Sequence, residues 1–106
     1  MKKMFMSLPM RGLDDETIKK HMAEIEAKVR AKYPDEEIVK IDSFVKKAPT
    51  KECNIPVQYL SQSIDCLSEA NIVVFGEGWE NARGCKIEHT IAEQYEIGDI
   101  IEEKDL

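Results

Sequence analysis

Apolar residues fall into separated clusters along the chain, and the spacing inside each cluster predicts its conformation. Met4, Phe5 and Met6 form a short continuous run, so residues 3–7 read as a strand. Ile18, Met22, Ile25 and Val29 are four, three and four apart, the period of one helix face. Lys19, Lys20, Glu24, Glu26 and Lys28 cover the wet face; Asp14 or Asp15 caps the start, and Tyr33-Pro34-Asp35 ends the helix. Residues 37–41, centred on Ile38, Val39 and Ile41, predict a second, short strand. Residues 42–55 show neither period and read as a mobile loop. Pro56 suits the first turn of a second helix, whose stripe is Val57, Leu60, Ile64 and Leu67. Ile72 to Phe75 is β-branched and aromatic throughout, the mark of a strand buried on both faces. From Arg83 the pattern turns helical again, with Ile87, Ile91 and Tyr95 four apart and Ala92 beside them. Gly98 breaks that helix, Ile100 and Ile101 form a last strand, and residues 102–106 are a charged tail.

Strand and helix alternate from end to end, which implies an α/β fold with a parallel sheet and right-handed crossovers. For four strands the flavodoxin-like order 2-1-3-4 is the natural arrangement: a three-layer sandwich with its switch point between the first and third strands. The turn-rich loops at 7–12 and 76–84 then converge on one crevice, with two helix N-termini aimed at it. One residue breaks the apolar pattern there. Glu88 lies angularly between Ile91 and Ala92, so its carboxylate points with the buried stripe near the start of the helix. It is a candidate functional group. The plainer alternatives are a cap on backbone N–H groups or a pair with Arg83 or Lys86.

Composition narrows the classes. The chain has 106 residues, the size of a single domain. Its net charge of -6 argues against nucleic-acid binding by charge and leaves small molecules or proteins as partners. Three cysteines, Cys53, Cys66 and Cys85, include no CxxC pair, so no disulfide framework or metal site is implied. Cys85, near a helix start, is either a thiol of lowered pKa or, as is commoner, a small packing residue. His21 and His89 have no metal-ligand spacing, and His21 reads as a surface residue. The apolar run at the N-terminus is too short for a signal peptide or membrane span, which gives the expectation of a soluble cytoplasmic protein without cofactor.

The run Gly78-Trp79-Glu80-Asn81-Ala82-Arg83-Gly84-Cys85-Lys86-Ile87-Glu88-His89-Thr90-Ile91-Ala92 closely resembles the DUF4406 family, which shows a strand followed by G-W-E-x-S/A-x-G-A/C-x-x-E-x-x-x-A. The opening Ser7-Leu8-Pro9-Met10-Arg11-Gly12 looks like that family's S-x-P-M-x-G start. DUF4406 is similar in turn to the nucleoside 2-deoxyribosyltransferase-like superfamily, which has a flavodoxin-like fold. Those enzymes cleave or exchange the N-glycosidic bond of nucleosides or their 5'-monophosphates, and their members often pair so that a neighbour closes the pocket.

The resemblance implies roles for particular residues. Glu88 falls where the superfamily has its glutamate nucleophile, and Arg11-Gly12 looks like the pair that holds a 5'-phosphate. Ser7, Pro9, Met10, Arg11 and Gly12 from the first loop, with Gly78, Trp79, Asn81, Arg83 and Gly84 from the second, would line the nucleoside or nucleotide site. Trp79 would stack on a base or lie as an apolar lid over the crevice. The sequence departs from the pattern at two positions where related enzymes carry aspartates: Ser63 and Asn71 stand there, and neither is an acid. Asp65, Glu77 and Glu80 are the remaining candidates for a proton donor. The expectation is therefore an N-glycosidase or deoxyribosyltransferase acting through Glu88, or a non-catalytic nucleotide-binding or protein-interaction module of the same fold. Either would be a homodimer or higher homo-oligomer.

Overall fold

The computed structural model describes residues 1–42, 52 and 54–106. Four strands, β1 (Lys2–Ser7), β2 (Ile38–Lys40), β3 (Ile72–Phe75) and β4 (Asp99–Glu102), alternate with α1 (Asp15–Lys32), α2 (Ile55–Leu67) and α3 (Arg83–Gln94). The sheet is entirely parallel in the order β2-β1-β3-β4, as the alternation predicts for a flavodoxin-like sandwich. Most of the expected 42–55 loop lies outside the described residues.

Alternation along the strands divides the core in two. Met4, Met6, Ile72, Val74 and Ile101 face α1, where they meet Ile18, Met22, Ile25 and Val29. Phe5, Val73 and Phe75 face the other way, onto Leu67 and Ala92 of α2 and α3. The central register pairs Phe5 with Val73 and Ser7 with Phe75, so Ser7 ends β1 on the α2–α3 side. Asp14 caps α1 by accepting from the Thr17 N–H at 2.8 Å, and Asn54 caps α2 by accepting from Val57 at 3.1 Å.

Two expected helix faces turn out differently. Of the α2 stripe only Leu67 is buried; Leu60 and Ile64 are half-buried and Val57 is exposed. On α3 the buried face is Cys85, Glu88 and Ala92, while Ile87 and Tyr95 are 43% and 78% exposed. The physical reason is size. Ala92 packs directly on the ring-lined sheet face, which brings the helix close and leaves the longer aliphatic side chains on its flank.

A tight joint closes the opposite end of the sheet. Asn71 accepts from the Lys3 N–H through its side chain at 2.8 Å and from the Asp99 N–H through its carbonyl at 2.9 Å. Gly98 precedes Asp99 at φ +57°, and a Cβ there would fall 2.0 Å from the Asn71 carbonyl oxygen. No larger residue fits without displacing that strand.

Candidate functional site

At the C-terminal ends of β1 and β3 the two turn-rich loops lie side by side. The Gly76 N–H donates to the Ser7 carbonyl at 2.9 Å, and a Cβ on Gly78 would sit 3.8 Å from the Pro9 ring. Gly78 itself has φ +84°, the left-handed turn that swings the chain into the short 3-10 segment Trp79–Asn81 before α3 begins.

Glu88 is 5% exposed and points from the second turn of α3 toward the end of β1. One carboxylate oxygen accepts from the Ser7 hydroxyl at 2.7 Å, and the other accepts from the Ser63 hydroxyl of α2 at 2.5 Å. It neither caps the helix nor pairs with Arg83 or Lys86; among the described residues no cation forms an ion pair with it. Burial pushes its pKa above the ordinary carboxylate value, and the hydroxyls of Ser63 and Ser7 pull against that shift. Cys85 lies on the same buried face. Burial and the Glu88 charge raise its thiol, although Ser7 lowers it, so of the two readings the commoner packing role fits and the lowered thiol does not.

The remaining predicted residues divide into groups. Ser7, Pro9 and Gly78 come together, and Gly84 meets Leu60 of α2 at an ordinary contact distance of 3.9 Å for an added Cβ. Met10 turns instead into the α1 side of the core. Arg11, Gly12 and Asn81 are exposed. Arg83 joins Lys86, Ile87, Thr90 and Ile91 around a shallow depression on the outer flank of α3, away from Glu88.

A cleft of about 320 Å³ opens on the β4 side of the 76–84 loop, lined by Gly78, Trp79, Glu80, Glu102, Glu103 and Lys104 among others. It does not reach Glu88 or the first loop. Trp79 is fixed at its edge. The indole stacks on His89 with centroids 4.0 Å apart, Phe75 packs beside both rings, and the indole N–H donates to Glu102 at 3.2 Å. Glu103 accepts from the Glu77 backbone N–H at 2.9 Å and contacts His21 Nε2 at 2.7 Å. Burial alone would raise the Glu103 pKa, yet the Glu77 N–H and His21 hold it below the ordinary value.

Several residues that sequence reasoning passed over or misjudged shape this region. His21 is not a plain surface residue, because it braces Glu103 across the sheet end. Glu102 and Glu103, read as charged tail, hold the 76–84 loop. His89 backs Trp79, and its position ten residues later was the only sequence hint. Ser63 sits beside Glu88; Asn71 stands at the far end of β3, where its side chain serves the sheet joint. Glu77 and Glu80 border the cleft, and Asp65 is exposed.

Among the described residues, no cluster of His, Cys, Asp and Glu is placed to hold a metal ion, and no helix is long and apolar enough to cross a membrane. No curated protein and no solved structure matches the chain. The family model described as Domain of unknown function (DUF4406) matches residues 2–100, nearly the whole chain. The Trp79–Glu88 arrangement is thus carried by a member of a recognised domain family, and the chain belongs to DUF4406.

Proposed function

We propose that this protein is a nucleoside 2-deoxyribosyltransferase-like enzyme that cleaves or exchanges the N-glycosidic bond of a nucleoside, deoxynucleoside or 5'-monophosphate. The observation that carries the reading is Glu88: a buried carboxylate at the ligand end of the central strands, oriented by two hydroxyls and, among the described residues, without an ion-pair partner. A carboxylate oxygen attacks the anomeric carbon, and the bond to the base breaks with its electron pair leaving on the base nitrogen. The base takes a proton from solvent water as it leaves, and the attacking water or base returns one in the second step. Water or a second base then attacks the same carbon, the ester to Glu88 breaks, and the carboxylate returns with overall retention. The exposed Arg11 beside Gly12 is available to a 5'-phosphate, and Trp79 presents an aromatic surface at the neighbouring cleft. The reading includes a cytoplasmic setting and a homo-oligomer.

A second reading is a non-catalytic nucleotide-binding or interaction module. It is favoured by one observation: the residue beside Glu88 on α2 is Ser63, which supplies a hydrogen bond but no acidic proton for a departing base.

Base release from a panel of deoxynucleosides and 5'-monophosphates separates the two. A nitrophenyl deoxyriboside belongs in the panel, because its leaving group departs without a proton. Under the enzymatic reading the wild type releases base or nitrophenol, and Glu88→Gln loses roughly a hundredfold or more, about 3 kcal/mol of barrier. Nucleotide binding with no release from any substrate supports the module instead.

A further inference from the structure

Two hydroxyls from different elements converge on one buried carboxylate. Ser7 ends β1 and is 2% exposed; Ser63 lies on α2 and is half-buried. Each donates to a separate oxygen of Glu88. A serine hydroxyl has a single proton, and each directs it to a Glu88 oxygen, Ser7 also touching the Cys85 thiol. That is a costly use of Ser7 unless the acceptor is charged, because hydrogen bonds to ionised groups are about twice as strong as neutral ones.

We propose that Ser7 and Ser63 are the positioning residues of Glu88, jointly favouring its charged carboxylate against the pull of burial and fixing its angle to the end of β1. Calling them positioning residues rests on Glu88 being the reacting group. The two are not equivalent. The oxygen held by Ser7 lies against the buried end of the strand, whereas the oxygen held by Ser63 lies on the half-buried side. Ser7 is therefore the anchor, and the Ser63-bound oxygen is the one that reaches an anomeric carbon, with Ser63 releasing it as the new bond forms.

Among the described residues, this pair is the source of stabilisation. On α3, Cys85 is the titratable neighbour, and burial raises its thiol pKa while Ser7 lowers it. His89 turns to Trp79 and Glu93, and Arg83 and Lys86 line the outer flank of the helix. From β1 and α2 the groups that reach Glu88 are the serine hydroxyls themselves.

The test is the titration of Glu88, followed by carbon-13 NMR on glutamate-labelled protein and assigned by the signal lost in Glu88→Gln. Ser7→Ala and Ser63→Ala should each raise the midpoint by about one pH unit, a tenfold gain in proton affinity. Ser63→Thr, which keeps a hydroxyl, should stay near the wild type. Because Ser63 is half-buried, its variants report even if Ser7→Ala folds poorly. Midpoints that move by only a few tenths of a unit, or a threonine variant that shifts as far as alanine, overturn the proposal. Where a substrate is turned over, both alanine variants should lower kcat more than they change KM and shift the acid limb of the rate profile by the same amount. The titration decides the electrostatic role without turnover: a shifted midpoint with no base release sinks the enzymatic reading alone, and base release with unmoved midpoints sinks the serines alone.

Discussion

Glu88 carries its charge into a place that water has largely left. Desolvation raises its folded-state pKa above the ordinary 4.5, despite the two hydroxyls, so the folded protein binds that proton more tightly than the unfolded chain does. Its contribution to stability is therefore complete below about pH 4.5 and declines as pH rises through the higher folded value. Glu88→Gln removes the charge and keeps the shape. Thermal melts should show the variant matching the wild type near pH 4 and melting higher at pH 7; a variant that melts lower at pH 7 would mean the hydroxyl contacts outweigh desolvation. This residue was legible in the sequence because an acid interrupted an apolar helix face. Ser63, His21 and Glu103 were not, because what matters in each is a contact made across 25 or more positions of chain, and no local spacing encodes it.

At the scale of elements, the end of β4 acts on the loop that follows β3. Glu103 reaches back to the Glu77 N–H and across to His21 of α1, while Glu102 takes the Trp79 indole N–H. The Glu103 pKa is lowered in the folded state, so its stabilisation is present above about pH 4.5 and is lost as pH falls through the lower folded value. Glu103→Ala should cost about 1 kcal/mol near neutrality, a figure kept small because the carboxylate is not fully buried. The deficit, read by denaturant unfolding at pH 7 and pH 3, should shrink at the lower pH; a deficit equal at both values would assign the loss to packing. The elements themselves were readable: the β-branched run of Ile72 to Phe75 could hardly be anything but a central strand. The faces of α2 and α3 were less so. Hydrophobicity suggested the Ile87–Ile91–Tyr95 flank, but a helix pressed onto Phe5 and Phe75 selects small residues such as Ala92, and size is invisible to an apolar count.

Across the whole molecule, Val57 of α2, Ile87 of α3 and Tyr95 just beyond α3 present exposed apolar surface. A domain this small has limited core to offset such exposure. The proposed homo-oligomer would cover that surface, and sedimentation at rising concentration should show a dimer or larger species; only monomer at high concentration would remove it. The strand order has a different consequence. The chain consists of an N-terminal βαβ half, β1-α1-β2, and a C-terminal half, α2-β3-α3-β4, which meet in the sheet along the seam between β1 and β3. The Ser7–Glu88 hydrogen bond and the approach of Pro9 to Gly78 both cross that seam. A protein severed between β2 and α2 thus divides into two fragments, each holding only part of the site. Reassociation of those fragments would rebuild the sheet and the carboxylate's surroundings in one event, so that recovered fold and recovered chemistry should rise together as the pieces are mixed.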